Sequence, residues 1–318
     1  MKKQLLNVSL ALTFLAQPLA SMANDMDGLQ EYTSNHSTIE ITSIDRLEVA
    51  AKEEKELFKS KNFIKKMKNF DRLAKEDKVV VVNVVGAAAI TLFGLISWDY
   101  GSAEMNFHNE GWFENDTKYG GADKLGHFYS TYVMSDVLGH YYRKWGYSDE
   151  KAARLSSLSA WILQGLMEVG DSSSANHGFS YEDMIMNTLG SVASYVLQSN
   201  PGLDALIDLR VEYNKNTPVG DIFTDYGNMT YLAALKLNGI DAFKNNFMKY
   251  FEVHLGYYTR GFTVHPKRAD RSRNVYVGVG LNIPLFLSKA GYNKTSAFTE
   301  YIQLPYTSVK TNDRNLND

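Results

Sequence analysis

The 318-residue chain contains no cysteine, which excludes disulfide bonds, thiolate catalysis and metal sites with cysteine ligands. It therefore also offers no cysteine for a lipoprotein anchor. The formal net charge of −3 gives no basic surplus, so nucleic acid is not an expected partner. Glycine-rich phosphate loops, G-x-S-x-G elbows and H-E-x-x-H pairs are also missing, so nothing indicates a nucleotide hydrolase, a serine hydrolase or a zincin.

Long hydrophobic runs are scarce too, and the mean hydropathy of −0.29 argues against a protein that consists mostly of membrane spans. One run stands out, the 19 uncharged residues 79–97, which could cross a bilayer core of about 30 Å. In an exported protein its lysine-rich flank would lie outside, against the positive-inside tendency. We predict a bilayer-embedded helix here, with a central helix buried by its neighbours as the alternative.

The N-terminus has the pattern of a secretory signal peptide at residues 1–23, with Lys2 and Lys3, an apolar stretch and a small-x-small cleavage site. An uncleaved anchor is the alternative. The pattern predicts an exported, periplasmic protein associated with the inner or outer membrane. Residues 24–77 form a polar lead-in followed by amphipathic helices, which either pack on the core or lie on anionic lipid through their lysines.

The rest of the chain predicts three helices, from about 123 to 145, 149 to 170 and 181 to 199. Residues 223–240 are interpreted as a loop and a short helix, and the Tyr/Val-rich segments after 251 as two or three strands. The predicted fold class is mainly α: a compact bundle of apolar helices with a small C-terminal antiparallel β appendage. The predicted regions are a helical core domain (78–250), a small β-strand region (251–305) and a tail (306–318).

Polar residues recur at helical spacing within these apolar helices. Asp123 and His127 are four residues apart, as are Asp183 and Asn187, so each pair shares a helix face. Ionisable groups on apolar helices are costly to bury unless they are partnered, which favours one shared polar site. A carboxylate beside an imidazole suits general-base catalysis or metal ligation.

The second of the three predicted helices breaks a rule of helix electrostatics at its C-terminal end. Glu168 and Asp171 place two carboxylates at the C-terminal end of a helix, where they repel each other and the helix dipole. We expect Lys124, His127, His177 or a bound metal to relieve them.

Structural interpretations remain open beside the functional ones. Asp123 also suits the first turn of a helix, and His127 a satisfied core position. Ser180, Asp183 and Asn187 would then be cap and helix-contact residues in a buried network that fixes helix register.

These motifs carry a family resemblance. The order Asp123-Lys124-x-x-His127-Phe128, then Glu168, then Gly178-x-Ser180-x-x-Asp183-x-x-x-Asn187-x-x-Gly190 resembles the YfiM-like family of predicted periplasmic lipoproteins, a family of unknown function. It is more distantly similar to the VanZ-like membrane proteins. The YfiM-like resemblance extends over about residues 75–285. It implies a compact set of apolar helices in the cell envelope with the named polar residues gathered together, and it supplies no activity.

The chain also departs from these patterns. It has no cysteine to lipidate, and Asp171 and His177 fall where VanZ-like sequences carry a glutamine and an arginine. An added acid and an added histidine favour metal binding and put in doubt any function that needs the arginine.

Two functions therefore stay open. The first is an uncharacterised membrane-associated envelope protein with a buried polar cluster of structural or ligand-binding role, whose partners are membrane lipid or an envelope protein. The alternative is a metal-assisted hydrolase that uses a divalent ion such as Zn, Mn or Mg on a lipid-linked or phosphoryl substrate, with Lys124 or His177 contacting an anionic group of the ligand. The candidate catalytic residues are Asp123, His127, Glu168 and Asp183, the ligand-binding residues Lys124, Asp171, His177, Ser180 and Asn187, and the metal ligands Asp123, His127, Glu168 and Asp171.

Overall fold

The computed structural model describes residues 68–213, 224–262 and 270–317. The predicted signal peptide and almost all of the predicted lead-in therefore lie outside the described residues. The described helices are α1 (Lys75–Ser97), α2 (Ala122–Lys144), α3 (Asp149–Asp171), α4 (Tyr181–Ser199), α5 (Pro201–Asp204), α6 (Ile283–Lys289) and α7 (Asn293–Thr299). The described strands are β1 (Ile207–Tyr213), β2 (Met229–Lys236), β3 (Phe251–Arg260), β4 (Ser272–Leu281), β5 (Ile302–Gln303) and β6 (Ser308–Asn315).

The chain divides into two compact units, each assembled from separate segments. Among the described residues, unit 1 comprises 68–108, 140–148 and 158–179, and unit 2 comprises 109–139, 149–157, 180–213, 224–262 and 270–317. Helices α2 and α3 each contribute to both units. The domain boundaries predicted from the sequence stay predictions.

Unit 1 is held together by polar contacts between apolar helices. Asn83, in the middle of α1, donates to the hydroxyl of Tyr142 over 3.0 Å, and that hydroxyl pairs with Ser159 on α3 at 3.0 Å. The Tyr100 hydroxyl, just beyond α1, donates to the carbonyl of Met167 over 3.0 Å. Because buried polar groups need partners, these bonds fix which face of α1 points inward.

The opposite face of α1 is apolar and exposed. Its large side chains Val85, Leu92, Phe93, Leu95 and Ile96 all lie on the surface. Among the described residues, α1 is the helix whose length and composition would allow it to cross a membrane, with a mean hydropathy of 2.5. That test rests on length and composition alone, so the predicted bilayer-embedded helix stays a prediction.

In unit 2 the start of α2 packs against the sheet, and α2 also contacts α4. The buried residues Ala122, Val211, Tyr226 and Tyr231 form an apolar cluster that seats the first turn of α2 against β1 and β2. Burying aromatic side chains of this size dominates the energy of such a contact. The cluster therefore sets the position of the residues that follow Ala122.

The sheet of unit 2 has six strands in the order β5-β1-β2-β3-β4-β6. All neighbours pair antiparallel except β1 and β5, which pair parallel. The predicted fold class is thus wrong: a six-stranded mixed sheet occupies the C-terminal half, where a small appendage was expected. The bounds of α2, α3 and α4, in contrast, agree with the predicted helices to within about two residues.

Three strands account for the error, each for a physical reason. Strand β1 buries charged side chains, so it lacks the alternation of buried apolar and exposed polar residues that is typical of a strand in a soluble protein. Strand β2 (MTYLAALK) is rich in helix-forming Leu, Ala and Lys, and pairing on both sides overrides that preference. Strand β6 (SVKTNDRN) has the composition of a frayed tail but pairs with β4.

Candidate functional site

The loop before α2 is anchored to the sheet side of unit 2. Arg271 donates to the carbonyls of Asn115 and Thr117 over 3.0 and 3.1 Å. Arg273 and Tyr257 donate to the carbonyls of Phe113 and Gly120. These bonds hold the loop that carries Glu110 beside the first turn of α2.

Lys124 is the centre of the site. Its ammonium lies 2.5 Å from a carboxylate oxygen of Glu110, 3.0 Å from Asp123 and 2.9 Å from Asp183. The side chain of Lys124 is only 1% exposed, whereas Glu110 is 28% exposed. We call Glu110, Asp123, Lys124, His127 and Asp183 the Lys124 network.

His127 joins this network through Asp183. Its Nε2 atom lies 3.7 Å from Asp183 Oδ2, so the carboxylate of Asp183 is shared between a lysine and a histidine. The His127 side chain is 14% exposed, and with Glu110 it is the part of the network nearest to solvent.

Helices α2 and α4 approach each other closely at Gly190. A Cβ atom added there would lie 2.1 Å from the carbonyl oxygen of Phe128, a distance that no side chain tolerates. One turn before Gly190, Asn187 accepts a hydrogen bond from Thr131 over 2.8 Å, and its Nδ2 is buried without a hydrogen-bond partner in the described structure. Because glycine has no side chain, Gly190 lets α2 and α4 come close enough for Thr131 and Asn187 to form their hydrogen bond.

Ser180 begins α4 as predicted. Its hydroxyl accepts a hydrogen bond from the amide of Asp183 over 3.2 Å, which confirms the predicted N-cap. The side chain of Asp183 ion-pairs with Lys124. The cap therefore orients the first turn of α4 while the carboxylate serves the network.

Two acids of the site, the partly exposed Glu110 and the buried Glu182, were not predicted. Glu110 comes from an aperiodic loop, where spacing gives no signal. Glu182 is fully buried in the first turn of α4 and accepts hydrogen bonds from Ser180 Oγ and the amide of Gly111. Its place next to Asp183 in the predicted capping motif was the available clue, because the helix N-terminus stabilises negative charge.

The network shifts the pKa values of its members in opposite directions. Burial raises the pKa of Asp183 above its usual value, although His127 and Lys124 oppose this. Burial would also raise the pKa of Glu110, but the charge and hydrogen bond of Lys124 lower it. For Lys124 burial would lower the pKa, and the charges of Asp123, Asp183 and Glu110 raise it instead.

The network carries more negative than positive charge. Three carboxylates face one ammonium, and oxygens of Glu110, Asp123 and Asp183 all lie within 4.8 Å of one another. Such a set can take up a proton or hold a hard divalent cation, which prefers oxygen ligands. Lys124 is already paired with carboxylates, so its predicted contact with an anionic ligand would require those pairs to open.

Glu168, Asp171 and His177 belong to unit 1. Glu168 is buried, and the charges of Asp171 and Glu168 add to the effect of burial in raising the pKa of Tyr100. Their predicted membership of the metal or catalytic set stays a prediction.

A second buried ion network lies in the sheet of unit 2. Arg210 bridges Asp208 and Glu252, Lys236 also pairs with Asp208, and His254 Nε2 lies 2.6 Å from Glu252. We call these five residues the Arg210 network. A polar cavity of about 230 Å³ adjoins it and is lined by Asp208, Lys236 and Glu300 among others.

Comparison with known proteins bears on the helical part of the chain. A family model described as "Predicted periplasmic lipoprotein (DUF2279)" matches residues 109–199, which include the whole Lys124 network. The match agrees with the predicted localisation, an exported protein of the periplasm. The finer resemblances to YfiM-like and VanZ-like proteins stay predictions. No curated protein and no solved structure matches the chain.

Proposed function

We propose that this periplasmic protein is a membrane-associated envelope protein whose Lys124 network is a binding centre for a divalent cation. One observation carries the proposal: three carboxylates converge on a single buried ammonium. Buried charges persist only when they are compensated, and here the compensation is incomplete.

The chemistry of the network favours a hard ion. Glu110, Asp123 and Asp183 offer carboxylate oxygens, the ligands of Mg²⁺, Mn²⁺ and Ca²⁺. The imidazole of His127 near Asp183 extends the choice to Mn²⁺ and Zn²⁺. Lys124 would stay as a fixed positive charge that limits the site to one ion.

Membrane association is proposed through α1. Its 23 residues with a mean hydropathy of 2.5 match the length of a span, and its exposed face is aliphatic and aromatic. Extraction of membranes at alkaline pH tests this part separately: an embedded α1 keeps the protein in the pellet, and release into the supernatant would contradict it.

The test of the cation site is a titration of Mn²⁺ into the metal-free full chain. Calorimetry measures the heat of binding, and electron paramagnetic resonance measures the free Mn²⁺. We expect one ion per chain for the natural protein and at least tenfold weaker binding for Asp123→Asn. Asp241→Asn, which alters a fully exposed carboxylate, is the matched control and should bind normally. Equal affinity in all three proteins would contradict the proposal.

A metal-assisted hydrolase is the second candidate, and the His127–Asp183 pair favours it. An ion held by the three carboxylates would supply an activated water, and His127 would take up a proton at Nδ1 while Asp183, which faces Nε2, orients the ring. The substrates to test are a phosphomonoester and a phospholipid. Mn²⁺-dependent phosphate release that is lost in His127→Gln while Mn²⁺ binding persists would support this candidate, and binding without turnover would leave the binding centre alone.

A further inference from the structure

The part of the unit 2 sheet around β3 and β4 has its polarity reversed. Along β3, Glu252 and His254 are fully buried, whereas Val253 and Leu255 between and beyond them are exposed. A sheet in a soluble protein buries the apolar face and exposes the polar one. The reversal leaves a continuous aliphatic surface facing outward.

This outer sheet face extends over three strands. Val253 pairs with Val279 and Leu255 with Val277 across β3 and β4, and Val279 pairs with Val309 on β6. With Leu281, these six side chains are each between 37% and 69% exposed. The members of the outer sheet face are Val253, Leu255, Val277, Val279, Leu281 and Val309.

Aromatic and cationic residues border one end of the face, where Phe251 pairs with Leu281. The exposed Phe247 packs edge-on against Phe251 with ring centroids 6.2 Å apart. Tyr250 stacks on Phe286 and accepts a hydrogen bond from Lys289, and the ammonium of Lys249 lies 5.4 Å from its ring centroid. Aromatic rings and lysines beside an aliphatic surface are typical of the boundary between lipid tails and headgroups.

The size of the face suits insertion into one leaflet. Six aliphatic side chains with this exposure leave on the order of 500 Å² of apolar surface. Along β3 the apolar band from Phe251 to Leu255 is about 14 Å long at ~3.4 Å per residue. That is about half of a ~30 Å hydrocarbon core, so the band fits one leaflet.

We propose that the outer sheet face docks into one leaflet of an anionic lipid bilayer, with Lys249 and Lys289 meeting the headgroups. This surface is separate from the cation site, and it goes beyond the membrane association proposed for α1. The cation site, the membrane association of α1 and the docking of the outer sheet face can therefore each fail alone.

The experiment uses the absence of cysteine from the chain. Val279→Cys places a single thiol in the face, and Asp241→Cys places one in an exposed loop as the matched control. Both full-length proteins carry an environment-sensitive fluorophore and are reconstituted with vesicles of phosphatidylethanolamine and phosphatidylglycerol. We expect lipids with a nitroxide in the acyl chain to quench the label at 279 and not the label at 241.

Further variants identify the forces. Leu255→Thr/Val277→Thr places β-branched residues, which suit strands, at both positions and should abolish the quenching at 279, whereas Leu203→Gln/Leu304→Gln, at exposed leucines outside the face, should not. Lys249→Gln/Lys289→Gln should weaken docking about fivefold per lysine on anionic vesicles only. An unquenched label at 279 would overturn the proposal, whatever α1 does. So would a label shielded from water by a second copy, detected as a concentration-dependent dimer without lipid.

Discussion

The two buried ion networks of unit 2 differ in their charge balance. In the sheet, Arg210 and Lys236 face Asp208 and Glu252, so cations and anions match in number, and His254 adds a further partner. In the Lys124 network a single ammonium faces three carboxylates. A balanced network is complete without a ligand, whereas an unbalanced one leaves charge for a proton or a cation to neutralise. The comparison thus separates a structural network from a binding centre.

The largest expected effect comes from Arg210→Met, which leaves Asp208 and Glu252 without their shared cation. Breaking a buried pair on one side costs about 3–5 kcal/mol. Denaturation with guanidinium should show this loss, and the difference from the natural protein should stay the same with Mn²⁺, because the Lys124 network is intact in both. Arg154→Met is the control, since Arg154 forms an exposed ion pair with Glu150 worth at most ~1 kcal/mol. A small loss in Arg210→Met would mean that the sheet network is not structural.

Lys124→Met should also destabilise the protein by about 3 kcal/mol in a chelating buffer, because the three carboxylates lose their only ammonium. Unlike the Arg210 variant, it should recover part of its deficit relative to the natural protein when Mn²⁺ is added, because the ion replaces the missing positive charge. Denaturation curves of the natural protein and both variants, with and without Mn²⁺, measure these deficits. If the two deficits respond to Mn²⁺ alike, the distinction between the networks is lost.

Gly190→Ala tests the close approach that assembles the Lys124 network. The added methyl group would collide with the carbonyl of Phe128, so we expect a loss of about 1–3 kcal/mol and weaker Mn²⁺ binding. Gly202→Ala is the matched control, because a Cβ there meets nothing within 4 Å. Thermal unfolding and Mn²⁺ titration of both variants measure the difference. Normal Mn²⁺ affinity in Gly190→Ala would show that helix spacing does not set the site.

The smallest effect concerns pH and the cavity beside the Arg210 network. Burial, together with the charge of Asp208, raises the pKa of Glu300 from its usual 4.5 to about 7. The folded state then holds a proton that the unfolded state has lost, so this group's stabilising contribution falls as the pH rises from 4.5 to 7. Glu300→Gln should reduce the fall in unfolding free energy between pH 4.5 and 7 by less than ~1 kcal/mol, since solvent screens the partly exposed carboxyl. Measurement of unfolding free energy against pH checks it, and an unchanged slope would contradict the assignment.

Much of the helical part could be predicted from the sequence. Periodic apolar residues and the cap at Ser180 define α4. The i,i+4 spacing of polar residues within α2 and within α4 identifies His127 and Asp183 as candidate site residues. The full sheet could not be predicted, because β1 directs Asp208 and Arg210 inward and β2 is rich in helix formers. Strands β3 and β4 were predicted, because alternation with a period of two persists in them although their polar side chains are buried.

The site was only partly predictable for a related reason. Glu110 lies in a loop whose position depends on arginines 161 and 163 residues later in the chain, Arg271 and Arg273. No local pattern encodes such a contact. Lys124 was expected to meet an anionic ligand, yet its partners are carboxylates of the protein itself.

The most direct test of the binding centre is the unfolding free energy of the natural protein as a function of Mn²⁺ concentration. If the Lys124 network takes up one divalent ion in the folded state only, the unfolding free energy must rise by about 1.4 kcal/mol for each tenfold increase in Mn²⁺ at concentrations above Kd. Asp123→Asn should abolish that rise. A stability that stays constant from micromolar to millimolar Mn²⁺ would contradict the account.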